Sequence, residues 1–417
     1  MYLGIDFGTT GARACVIDAQ KNICWEQRIA YPDATAQTAQ DWQSALFALM
    51  DKLPTPIAAS LRGIAIDGTS GTVLQCDAAL QPIGPALLYN DARAEAQAKQ
   101  LSTLAPSGSN VCTSSSGLSK ALWLAQYHPG AHYLMHQADW LTALLSGRPG
   151  ISDYHNALKS GYDVQRLCWP DWIQALPIAP LLPSVVAPGS VIGKVSSSIT
   201  ARYGIASDCT IHASTTDSIA AFMASEVNDS STGVTSLGTT LVLKQLSPTR
   251  IESPKNGIYS HRYGELWLVG GASNAGAGVL RSYFNDAQLS ELSAQIDAHQ
   301  ESPLDYYPLP KRGERFPVYD PALEPRLSPR PKDDADFLHG ILQGLARIEA
   351  AGYACLAELG APPIRQVISN GGGAHNQTWS TIRSLVLHHP VCTSAHIEAA
   401  YGSALLARKH DVLATKS

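Results

Sequence analysis

Leu3-Gly4-Ile5-Asp6-Phe7-Gly8-Thr9-Thr10-Gly11, running into Ala14-Cys15-Val16-Ile17-Asp18, is an apolar run broken by a Gly-Thr turn and resumed beyond it. It reads as strand, turn, strand, a hairpin by its turn residues. Val234-Thr235-Ser236-Leu237-Gly238-Thr239-Thr240 repeats the pattern and leads into Leu241-Val242-Leu243. Two halves of similar construction are expected, with the two Gly-Thr turns facing each other across a cleft. Outside the hairpins, helical patterns such as 40–53 alternate with short β-rich runs such as 61–66. That alternation gives an α/β class.

At 417 residues the chain has material for two or three domains, at about 150 residues each. Hydrophobic residues at 45% and charged residues at 16% exclude disordered, collagen-like and coiled-coil classes. Asp and Glu exceed Lys and Arg by 35 to 30, and no dense basic run occurs. Nucleic-acid and anionic-membrane partners therefore lack support. No apolar run approaches the roughly 18 residues of a membrane helix, and the opening residues do not read as a signal peptide. Eight cysteines without a Cys-x-x-Cys pair give neither metal spacing nor a disulfide framework. A reducing, cytoplasmic setting is expected.

The segment 302–331 carries eight prolines, which excludes regular secondary structure there. It reads as a long surface loop, and loops of that length are more often functional, as a lid or an interdomain contact.

Backbone N–H groups and hydroxyls of a Gly-Thr turn suit phosphate oxygens. Asp6 is the only charge in its run, and one carboxylate beside such donors suits hydrated magnesium next to a polyphosphate; a plain tight hairpin is the other reading. Gly371-Gly372-Gly373-Ala374-His375-Asn376, between Val367-Ile368 and Trp379-Ser380, reads as strand, glycine turn, helix. There backbone can approach a flat base, and Asn376 either caps the helix or contacts the ligand. Gly270-Gly271-Ala272-Ser273-Asn274 has the same ambiguity. Gly189-Ser190-Val191-Ile192-Gly193-Lys194-Val195 is one residue short of a P-loop and ends in Val, and no Gly-x-Gly-x-x-Gly follows a strand. His132 and His136 have helical spacing without a Glu between them, so they read as surface or partly buried helix residues rather than zinc ligands. Asp217 stands where a polar turn enters an apolar helix, as a first-turn acid or as a general base. Asp67-Gly68-Thr69-Ser70 ends another strand, as a simple turn or as a source of sugar-hydroxyl contacts.

Together these segments resemble the FGGY carbohydrate kinases over nearly the whole chain. Residues 4–16 resemble the family's first phosphate hairpin, and Lys120-Ala121-Leu122-Trp123-Leu124 its Lys-x-x-Trp-Leu helix. Asp139-Trp140-Leu141 through Leu145-Ser146-Gly147, then Ser152-Asp153 and Asn156-Ala157, match the next segment. Gly313-Glu314-Arg315-Phe316-Pro317 resembles the Gly-Glu-Arg-x-Pro loop, 371–379 the adenosine motif and 398–404 the final helix.

The resemblance implies two actin-like, ribonuclease H-like ATPase domains with a cleft between them. It places the first domain at 1–222 and the second at 223–417, with the last helix, 396–413, packing back on the first. ATP and Mg2+ are the implied cofactors, and a small-molecule sugar the partner. Asp6 would hold the metal, and Gly8, Thr9, Thr10, Gly238 and Thr239 would flank the phosphates. Gly372, Gly373, Asn376 and Trp379 would surround the adenosine. Asp217 and Asp6 would be the catalytic pair, with Thr10 and Ser70 joining them on the sugar. Asp67-Gly68-Thr69-Ser70 departs from the Gln-Met-His of xylulose kinases and looks most like the compact D-ribulose kinases of cyanobacteria and plants. D-Ribulose is the expected acceptor, with D-xylulose or another ketose or polyol as the alternative. A non-catalytic, nucleotide-dependent sugar-binding regulator is the rival class, and monomer and dimer stay equally open.

Overall fold

The computed structural model describes residues 1–106, 109 and 111–414, with side chains as far as 408. The chain forms two compact units: Met1–Ala224 together with the segment from Glu398, and Ser225–Ile397.

In the first unit, Tyr2–Phe7 is buried at every position, so both faces of that strand need a cover. It pairs antiparallel with Gly11–Ile17 and parallel with Gly63–Gly68, at the centre of a seven-stranded sheet. Side chains alternate between faces. Leu3, Ile5 and Phe7 pack with Trp42, Leu46 and Leu49 of the helix Ala39–Asp51. Tyr2 packs on the other side with Tyr401, Ala404 and Leu406 of the helix Ala399–Ala414. Trp42, Ala45, Leu46 and Leu49 recur at helical spacing, and each large side chain buried this way contributes about 1.5–3 kcal/mol. Thr38 starts that helix with a capping box: its Oγ1 accepts from Asp41 N–H at 3.2 Å, and its own N–H donates to Asp41 Oδ2 at 2.8 Å. Gly4 has no side chain because the backbone of Ala400 and Ala404 occupies the space of its Cβ.

The second unit repeats the plan. Thr232–Leu237 pairs antiparallel with Leu241–Ser247 and parallel with Gln366–Asn370, inside a six-stranded sheet. The long helix Asp334–Glu358, N-capped by Asp333, covers it with Leu338, Ile341, Leu342 and Leu345. The hairpin repeat read from sequence is thus a repeat of sheet topology.

Three readings change. Gly270 and Gly271 lie inside the strand Leu266–Ala272, not in a turn, and Gly271 leaves room for the Phe316 ring. His136 ends a strand, Tyr133–His136, and is buried, because its ring is hydrogen-bonded on both nitrogens, to Asp139 and Ser160. The proline-rich segment has no helix or strand, only bridges such as Glu314↔Asp320, but it is no plain surface loop. It inserts Tyr306, Leu309 and Phe316 into the second unit's core, and buried Glu314 accepts from Ser273 Oγ at 2.6 Å and Asn274 N–H at 2.7 Å.

Candidate active site

A row of directly paired residues crosses the first unit's sheet: Thr215, Asp67, Asp6, Arg13 and Arg28. Paired residues share a face, so two carboxyls and two guanidinium groups lie in line. Asp67 is fully buried; Oδ2 accepts from Ser403 Oγ at 2.6 Å, and Oδ1 has no hydrogen-bond partner among the described residues. Burial, and then the charge of the adjacent Asp6, hold Asp67 well above the usual carboxylate range. Burial also lifts Asp6, to about 6, against the pull of the Asp67 carboxyl and of Arg13 and Arg28. Arg13 is itself ion-paired with Glu398.

Asp217 opens the helix Asp217–Ala224, directly after Thr215–Thr216, which runs parallel to Asp67–Gly68. Its charge acts on both Asp6 and Asp67, so the three carboxyls form one electrostatic group. The approach to Asp217 is fixed by Ser214 Oγ donating to Asp139 at 3.0 Å and by Thr215 Oγ1 on His155 Nδ1 at 2.7 Å.

The first Gly-Thr turn is exposed at Thr9 and Thr10. Gly8 N–H closes the turn onto Gly11 C=O at 3.1 Å, which leaves the donors of Thr9 and Thr10 at the tip. Gln37 Nε2 holds Thr9 C=O at 2.6 Å and Tyr31 N–H holds Thr10 C=O at 3.2 Å. Ser70 is half-buried, and its Oγ has no hydrogen-bond partner among the described residues.

In the second unit, Thr232–Leu237 and Gln366–Asn370 run parallel, so the turns after them emerge side by side. Gly238 and Thr239 are exposed, with their carbonyls taken by Ala277 N–H at 2.9 Å and Gly278 N–H at 3.1 Å. Beside the second turn lies a cavity of about 470 Å3 lined by Ala277, Leu280, Gly372, Gly373, Asn376 and Trp379. That volume suits a drug-sized or nucleoside-sized molecule. Asn376 is the helix cap: Oδ1 accepts from Trp379 N–H at 2.9 Å and Nδ2 donates to Ser293 Oγ at 2.8 Å. Its amide shapes the rim, and the floor is the buried Trp379 ring against Gly373, whose Cβ would strike it.

Among the described residues, no three His, Cys, Asp or Glu side chains converge as a metal cage. Magnesium is commonly held by one or two carboxylates and phosphate oxygens, and Asp6 beside an exposed turn fits that mode.

Several features escaped the sequence. Asp67 as the partner of Asp6 depends on strand register, and Leu280 and Ser293 reach the cavity from remote segments. One signal was present: Lys120 is a charge within the apolar run 117–125.

Duplicated sheets of this topology, each with a glycine turn after its first strand, define a two-domain protein of the actin-like ATPase fold. Residues 1–224 match the N-terminal domain of the FGGY family of carbohydrate kinases, and residues 233–409 match its C-terminal domain. The chain belongs to that family. It is 22% identical to the xylulose kinase of Staphylococcus epidermidis over 98% of this chain and 87% of that protein. A match to Lactococcus lactis xylulose kinase, at 25%, spans 59% of this chain and 53% of that one. Among solved structures, the Brucella ovis xylulose kinase superposes with a TM-score of 0.86 at 20% identity, covering 100% of this chain and 91% of that one. Plasmodium falciparum glycerol kinase with ADP superposes at 0.80 and 16%, covering 99% and 89%. No helix among the described residues is long and apolar enough to cross a membrane.

Proposed function

We propose that this FGGY kinase transfers the γ-phosphoryl group of ATP to the carbon-5 hydroxyl of a ketopentose, with D-ribulose the preferred acceptor. The observation that carries the acceptor reading is the unpartnered Ser70 Oγ in a turn continuous with Asp67, on the unit that also holds Asp217. Asp217 takes the proton from the sugar hydroxyl as its oxygen attacks phosphorus. The N–H groups of Thr9, Thr10 and Thr239, and the backbone of Gly8 and Gly238, surround the phosphates. Gly372, Gly373 and Trp379 receive the adenosine, with Asn376 holding their helix in place. Asp6 is the magnesium ligand, and bound Mg2+ supplies charge neutralisation on the phosphates. The first unit takes the sugar and the second the base. Eight free cysteines fit a cytoplasmic setting.

D-Xylulose is the second reading, favoured by the names of the relatives at 22–25% identity. The two sugars differ in configuration at carbon 3, so hydrogen bonding and not size must separate them. ADP release measured over D-ribulose, D-xylulose, polyols and glycerol tests both readings. Preference for D-xylulose overturns the ribulose assignment, and no ADP release with any acceptor overturns the kinase reading.

A further inference from the structure

The turn 69–72 is held by two side chains with no solvent exposure, Lys120 and Gln137. Gln137 Oε1 accepts from Thr69 N–H at 2.9 Å and from Thr69 Oγ1 at 2.8 Å. Its own N–H donates to Thr72 C=O at 3.1 Å. Lys120 Nζ donates to Gly71 C=O at 2.6 Å and to Leu88 C=O at 2.7 Å, joining the turn to the end of the strand Pro82–Leu87. Within the turn, Thr72 N–H reaches Thr69 C=O at 3.2 Å and the two threonine hydroxyls meet at 2.6 Å. Every one of these bonds restrains the backbone on either side of Ser70. Ser70 Oγ and Gln137 Nε2 are the two buried polar groups here with no partner among the described residues.

A buried ammonium facing neutral carbonyls is costly, and an apolar side chain would fill the same helix position more stably. Burial lowers its pKa to about 8, with the charge of Asp91 opposing, so part of that cost is still present at neutral pH. What the ammonium does, and an apolar group cannot, is fix two carbonyls from separate segments to one point.

We propose that Lys120 and Gln137 are positioning residues for sugar recognition, which set the place of Ser70 Oγ and with it the discrimination between carbon-3 epimers. This rests on the sugar-kinase reading above. Both side chains are fully buried and bonded to the turn that carries Ser70, so their removal should act on the acceptor side.

The test compares wild type with Lys120→Met and Gln137→Leu, measuring KM for both pentuloses, KM for ATP, kcat and melting temperature. The expected result is a rise of about tenfold or more in sugar KM, with ATP KM within about twofold. The ratio of kcat/KM between D-ribulose and D-xylulose should fall at least about fivefold. Equal losses on both sugars with an unchanged ratio, or an equal rise in ATP KM, overturn the proposal. If Lys120→Met fails to fold, Gln137→Leu carries the same readings. Failure of both to fold overturns it too, since the pair would then serve the fold. A wild type inactive on both pentuloses instead overturns the ketopentose reading, and the kinetic split is then read on whichever acceptor is turned over.

Discussion

Ser403 donates a 2.6 Å hydrogen bond to Oδ2 of Asp67, a residue 336 positions earlier in the chain. The bond anchors the carboxyl that stands behind Asp6, so the final helix supports the row of charges on the first unit's sheet.

Asp217→Ala should lower turnover by about 10²–10⁴-fold, the usual range for loss of a general base. ATP affinity should stay near wild type, because Asp217 belongs to the first unit and the cavity proposed for adenosine is lined by residues of the second. Steady-state kinetics beside nucleotide titration checks both halves, and turnover above half of wild type would return Asp217 to a helix-capping role.

Asp6→Asn should raise the magnesium concentration needed for half-maximal rate. The substitution keeps the shape and removes the charge, and Asp67 is no substitute, being fully buried. A magnesium titration at fixed ATP measures the shift, and an unchanged curve would assign the metal elsewhere.

The ligand-free protein should lose stability as pH rises from about 4 to above 7 through its buried carboxyls. Burial raises Asp6 to about 6 and Asp153 to about 7, the latter with the charge of Asp139 adding. Asp67 is raised further, in the same direction. A raised folded pKa means the native state holds its proton longer than the unfolded chain, so the contribution is complete below the unfolded pKa and disappears as pH passes the folded one. Each fully coupled proton contributes a slope of about 1.4 kcal/mol per pH unit in that window. Denaturant melts at pH 5 and 7.5 should show the decline, and Asp153→Asn should reduce it.

Gly402→Ala should destabilise by about 1–3 kcal/mol, the usual effect of overpacking. The added Cβ would run into the carbonyl of Ala220, where the helices Ala399–Ala414 and Asp217–Ala224 pack backbone to backbone. A lower melting temperature, with activity falling through the displaced Asp217, is the expected pair of readings.

Much of this fold was legible because both hairpins carry their instructions locally, in apolar runs broken by Gly-Thr. The helix 40–53 was placed within two residues of Ala39–Asp51, since its apolar spacing continues to its ends. The strand read at 61–66 is Gly63–Gly68, because Asp67 is buried by pairing and not by an apolar side chain. His136 misled for a related reason: four-residue spacing to His132 imitates a helix, and only the Asp139 and Ser160 contacts reveal a buried strand end. In the candidate site, Asp6, Asp217 and both glycine turns were visible as breaks in local pattern. Asn376 was legible as a cap because its partner Trp379 is three residues on, whereas Lys120 and Gln137 as anchors, and the Asn376 bond to Ser293, depend on partners dozens of residues away.

The segment from Glu398 supplies the cover for one face of a sheet whose first strand begins at Tyr2. During synthesis the second unit, continuous in the chain, is complete before that cover is made. Tyr2, Cys15, Ile17 and Ala65 then wait for Ala400, Tyr401 and Ala404 to be made. At synthesis rates of about 5–20 residues per second, the delay from Ala65 to the final helix lasts tens of seconds. A stop codon directly before Glu398 would therefore leave a complete second unit attached to a first unit lacking one cover, a truncation product open to aggregation and proteolysis.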